Sequence, residues 1–180
     1  MSEEYLDVFN ENNQPTGEKA LRSFVHAQGL WHRTVHIYLF REKEKEIEFL
    51  VHLRSKLKDT SPNMWARCFG GHLEAGVGLE EGAIKELQEE VGLEINNFQN
   101  LIEREWRKHE KFPNNEFIKV YYLRYDGEVE DLKLNDGEVQ LAKWMNVKEM
   151  KEEKEKEPEK WAGSMQGLLD AVGFLQEKIK

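Results

Sequence analysis

Glu86, Glu89 and Glu90 stand at i, i+3 and i+4 within Leu79–Val91, a stretch whose apolar residues recur at helical spacing. On a helix the three carboxylates span about 100° of arc, beside the apolar stripe rather than opposite it. That stripe, formed by Leu79, Ala83, Ile84, Leu87 and Val91, covers about 140°. Three anions held so close repel one another unless a cation sits among them. Mg²⁺ or Mn²⁺ suits the position, because such ions prefer hard carboxylate oxygens. Gly82, one turn earlier on the same face, would leave room for the metal's waters or a ligand phosphate. The plainer alternative is a solvated glutamate face, which is common on helices.

The rest of the chain has to position that helix. Tyr5–Phe9 reads as a short strand, 11–15 as a turn and 19–28 as one or two helical turns. The β-branched and aromatic run 32–40 reads as a strand stopped by the polar run 41–46, with 47–53 as its hairpin partner. A loop over 55–62 leads to a short apolar segment, 64–69, ending at Gly70-Gly71, and Gly92 is a natural stop for the central helix. Residues 98–108, 117–125 and 139–145 read as further strands. The Lys/Glu run 148–160 reads as a solvated helix face. Pro158 separates it from a last amphipathic helix over 161–180, docked by Leu168, Leu169, Val172, Phe174 and Leu175. Strands on either side of one central helix predict an α/β fold with a mixed sheet covered on both faces. The expected organisation is one domain over 1–180, with an N-terminal extension over 1–30 and a C-terminal helix over 158–180.

The 180 residues are 39% hydrophobic and 11% aromatic, enough for a real core. A net charge of −9 argues against nucleic acid and anionic membrane as partners. One cysteine, Cys68, precludes an intrachain disulfide, and no apolar run approaches the ~20 residues that span a bilayer. A cytoplasmic location is expected.

Residues 71–93 read GHLEAGVGLEEGAIKELQEEVGL. This resembles the Nudix box, G-x5-E-x7-R-E-U-x-E-E-x-G-U, where U is a bulky aliphatic. Gly71, Glu86, Leu87, Glu89, Glu90, Gly92 and Leu93 match in register, seven of the nine fixed positions. Val77 replaces a family glutamate, and Lys85 replaces an arginine, keeping the charge without the bidentate fork. Glu74, in the same loop, could partly stand in for the missing glutamate.

The resemblance implies a Nudix α/β/α sandwich that uses Mg²⁺ or Mn²⁺ while water attacks a small-molecule diphosphate substrate. It assigns Glu86, Glu89, Glu90 and the Gly71 carbonyl to the metal. Catalysis falls to Glu89, Glu90 and Glu138, the last standing just before the strand that carries Trp144. Arg54, His72, Glu116 and Lys85 are assigned to the substrate. A homodimer is compatible with the family. The plain alternative for Glu138 is a solvated turn residue, and for Arg54 an ordinary basic loop shared with Lys56 and Lys58.

Beyond the box, Leu6-Asp7-Val8, residues 22–26 and residues 31–36 resemble the branch related to isopentenyl diphosphate isomerase. In that branch His26, His32, His72 and Glu116 would form a second metal site; the plain reading is hydrogen-bonded structural residues. The isomerase needs a cysteine directly before its Gly-His, where this chain has Gly70, and Cys68 lies two positions earlier. The resemblance therefore favours a hydrolase, with an isomerase or a non-catalytic diphosphate-binding module as alternatives.

Overall fold

A computed structural model describes residues 4–95, 100–135 and 137–179. The chain forms two compact units, one of residues 1–37, 69–89 and 93–123, the other of 38–68, 90–92 and 124–180.

In the first unit, β1 (Tyr5–Phe9) pairs antiparallel with β2 (Pro15–Leu21). The turn between them is held by Asn10, whose Oδ1 accepts from the amides of Asn12 and Gln14, both at 3.0 Å. Helix α1 (Arg22–Gln28) follows and ends at Gly29 in the left-handed region. The expected helical turns over 19–28 thus begin only at Arg22. Residues 15–21 are a strand with mostly exposed side chains, so burial left no alternation to read. Leu6, Val8 and Val25 form the small core here, with Ala20 and Leu30 against it.

Strand β3 (His32–Lys43) begins in this unit. Residues 69–73 run beside its start: Val35 N donates to Gly71 O at 3.0 Å, Ile37 N to Phe69 O at 2.8 Å and Leu73 N to Arg33 O at 3.0 Å. The double glycine and His72 are therefore fixed by backbone bonds to a strand. Strands β6 (Leu101–Glu103) and β7 (Arg107–Lys111) both pair antiparallel with β8 (Asn114–Arg124). The expected strand over 98–108 is thus two strands broken at 104–106, and its first residues lie outside the described ones.

In the second unit, β3 continues to Lys43, past the expected stop at residue 41, and turns through Glu44 and Lys45, both with positive φ. It pairs with β4 (Glu46–Arg54), which also pairs antiparallel with β5 (Trp65–Ala66) and β9 (Val139–Asn146). Helix α3 (Val147–Lys156) carries a capping box between Asn146 and Glu149, and α4 (Met165–Lys178) is capped by Ser164. The expected solvated face holds for much of α3, but Met150 and Lys154 are buried. The last helix starts four residues later than expected and docks through Leu168, Ala171 and Leu175, while Leu169 is exposed. No described helix is long and apolar enough to cross a membrane.

Helix α2 (Leu79–Val91) has the expected bounds, buries Ala83, Leu87 and Val91, and stops at Gly92 with φ +66°. The space at Gly82 is taken by the Leu73 side chain, so this glycine serves helix packing, and the room expected there for water or phosphate does not exist.

Candidate functional site

Helix α2 carries Glu86, Glu89 and Glu90 on successive turns, as their spacing requires. Their environments differ. Glu89 is exposed and Glu86 half-buried, whereas Glu90 is only 2% exposed. The edge position expected for Glu90 is thus a buried one. A buried carboxylate needs a cationic partner. Lys58 Nζ lies 3.5 Å from Glu90 Oε1 and also contacts Glu138. One ammonium therefore serves two carboxylates, in a place that suits a cation. The backbone joins the same residues: Asn135 N donates to Glu90 O at 3.0 Å and Glu138 N to Asn135 O at 2.8 Å.

Around Glu86 the determinant is a missing side chain. A Cβ built on Gly71 would come within 2.6 Å of Glu86 Oε1 and 2.9 Å of its Cδ. The glycine makes room for the carboxylate beside its own backbone. Carboxylate oxygens grouped on one helix and a cradle that a Cβ would fill both fit a hard divalent cation. Gly71 O already accepts from Val35 N, which leaves one lone pair for another partner. Gly71→Ala should push Glu86 aside; if that carboxylate holds a divalent cation, Mn²⁺ binding should weaken by about tenfold or more, the scale of a perturbed metal site, which electron paramagnetic resonance of Mn²⁺ titrations reads.

Lys85 Nζ sits 2.6 Å from Glu74 Oε1 and 3.9 Å from Glu89 Oε1, and the hydrogen bond to Glu74 raises its pKa. Glu74 thus braces the lysine. Arg54 spends its Nε and Nη2 on the Thr60 carbonyl, at 3.1 and 2.9 Å, which orders its own loop.

His26, His32 and His72 come together in the first unit. Their ligand-capable nitrogens all lie within 4.8 Å of one another, with His26 Nε2 3.1 Å from His72 Nε2. Glu116 Oε1 stands 3.8 Å from His32 Nε2 and 4.0 Å from His72 Nε2, and accepts from Asn114 at 2.9 Å. His32 Nδ1 faces the Leu30 carbonyl at 3.0 Å, and burial lowers its pKa to about 4. The neutral ring then donates from Nδ1 and presents an Nε2 lone pair to the cluster.

Gly70 has φ +135°, and a Cβ there would run into the Val35 carbonyl. No cysteine fits this backbone without a shift. Cys68 is partly buried and lies outside any strand.

Sequence reasoning did not find His52. Burial first, then the charges of Arg54 and Lys58, push its pKa down to about 3. A folded pKa below the unfolded value means stability that is present above about pH 6.5 and is lost as pH falls towards the folded value. Thermal melts from about pH 7 to 4 should show a falling midpoint, with this group giving up to about 1.4 kcal/mol per pH unit. His52→Gln should flatten the slope and leave the share from His32.

A family model described as the NUDIX domain matches residues 30–164. An uncharacterized Nudix hydrolase of Clostridium acetobutylicum is 34% identical over 142 residues, covering 77% of this chain and 68% of that protein. The isopentenyl-diphosphate delta-isomerase of Aspergillus fumigatus is a more distant relative, 23% identical over 84% of this chain and 63% of its own. Among solved structures, DR0079 of Deinococcus radiodurans superposes with a TM-score of 0.71 at 22% identity, covering 93% of this chain and 98% of that one. The expected fold class, α/β with a mixed sheet in the manner of these proteins, holds.

Proposed function

This chain belongs to the Nudix family and is a hydrolase of that type, and from that premise we propose that it cleaves the diphosphate linkage of a nucleoside diphosphate derivative or similar organic diphosphate. Glu86, Glu89, Glu90 and the Gly71 carbonyl would hold Mg²⁺ or Mn²⁺. The ion would screen phosphate charge and lower the pKa of bound water. The observation that carries this reading is the pairing of buried Glu90 with Lys58, which also reaches Glu138. It gathers carboxylates and a cation at the end of the box helix. Glu89, Glu90 and Glu138 would serve the proton and water of the hydrolysis. Arg54, His72, Glu116 and Lys85 would face the substrate, Arg54 after releasing Thr60. The whole chain would act as one Nudix domain in the cytoplasm.

Glu74 supports this site through Lys85. Glu74→Gln should lower turnover by about three- to tenfold, the scale of a lost charge-assisted bond at an exposed position. Steady-state kinetics on the best substrate would show it, and unchanged kinetics would remove Glu74 from the site.

The isomerase reading draws on the three histidines with Glu116, and Gly70 opposes it. Incubation with nucleotide sugars, dinucleoside polyphosphates, nucleoside di- and triphosphates and isopentenyl diphosphate, followed by phosphorus NMR, separates the readings. A hydrolase releases phosphate or a nucleotide. Conversion of isopentenyl diphosphate without phosphate release would mean an isomerase. Ligand binding without turnover would mean a binding module.

A further inference from the structure

Two cations lie buried in the second unit, and among the described residues neither is paired with a carboxylate. They are Arg67 and Lys154, 6% exposed each. Lys154 Nζ donates to Gly163 O at 2.9 Å. Arg67 stacks over the Tyr38 ring at 5.6 Å, and its buried Nε has no hydrogen-bond partner among the described residues.

The guanidinium is aimed at the start of α4. A Cβ built on Gly167 would come within 2.8 Å of Arg67 Nη2, and one on Gly163 within 3.4 Å of Nη1. The two glycines give the arginine its place there. Ser164 caps the helix by accepting from Gly167 N at 3.1 Å. The other first-turn amides of a helix have no acceptor within it, and this end carries the positive pole of the dipole. A cation aimed at that pole, beside a second cation, is unfavourable alone. An anion reverses the sign of all three terms. Gly163 and Ser164 are exposed, so the rim is open to solvent.

We propose that Arg67, Lys154 and the first turn of α4 form a binding site for a small tetrahedral oxyanion, phosphate or a phosphate monoester. The site is separate from the glutamate helix in composition and stands whether or not the hydrolase reading does. Its occupation neutralises the buried pair and fastens α4 to the segment after β5. Burial and the neighbouring Arg67 lower the Lys154 pKa to about 8, and a bound anion would draw it back up.

Calorimetric titration of the full chain with inorganic phosphate and with adenosine monophosphate, at ionic strength fixed with sodium chloride, tests this. Saturable binding is expected in the native chain and in Glu89→Gln, which separates it from the catalytic site. Arg67→Met and Lys154→Met should each weaken it by about tenfold or more, the worth of one charge-assisted bond. If Arg67→Met does not fold, Lys154→Met decides alone. Binding of phosphate alone would identify a free ion, and binding of both a phosphate ester. No saturable binding of either, or equal binding in the folded variants, overturns the proposal.

Discussion

Replacing Glu90 by glutamine should lower turnover by a factor of about 10² to 10³ while leaving the protein folded. The carboxylate is buried on the last turn of the box helix and reaches Lys58 at 3.5 Å. Glutamine is nearly isosteric and can still accept from the ammonium. Glu138 keeps that ammonium paired, so the variant does not strand a buried charge. The stability cost should therefore be about 1–3 kcal/mol, the scale of one hydrogen bond to a charged group. Urea denaturation and steady-state kinetics on the same preparations separate the two effects. A folded variant with native turnover would take Glu90 out of the site.

Gly70→Cys should destabilise the protein by about 3 kcal/mol or more, and it should not gain isomerase activity. Two costs add. The backbone sits at φ +135°, where side chains are rarely tolerated, and the new Cβ meets the Val35 carbonyl. Val35 cannot retreat freely, because its own amide is bonded to Gly71 O at 3.0 Å. Gly76→Ala is the control: φ is +83°, but nothing lies within 4 Å of the added carbon. It should cost about 1 kcal/mol, from conformation alone. Equal midpoints for the two variants would mean that the strand beside the double glycine yields easily.

The parts of the fold that the sequence announced are those where burial imposes a period. Helix α2 shows this, with Ala83, Leu87 and Val91 buried and Gly92 closing it, and so does β1. Strand β2 gave no such signal, because Thr16, Gly17, Glu18 and Lys19 are all exposed, so no face of it is marked by apolar residues. The hairpin of β3 and β4 was legible from its two apolar runs, but its extent was not, because Glu44 and Lys45 make a tight turn without glycine or asparagine and the polar residues beside them still pair.

The candidate site follows the same division. Glu86, Glu89 and Glu90 are local to one helix and could be read. The partnership of Glu90 with Lys58 spans 32 residues, and only folding brings it about. The convergence of His26, His32 and His72 was suggested by resemblance, and their mutual distances needed the fold. Arg67 and Lys154 carried no signal, since neither stands in a motif and the burial that makes them unusual is tertiary.

The most direct test of the central claim is hydrolysis in oxygen-18 water, with the best substrate of the panel and with the divalent metal removed and restored. Mass spectrometry of the products should find one labelled oxygen on a phosphorus-bearing product. The label should appear only when Mg²⁺ or Mn²⁺ is present, and it should be strongly reduced in Glu90→Gln. Label on carbon, no label, or equal labelling without metal or without Glu90 would contradict a metal-dependent diphosphate hydrolase built on this helix.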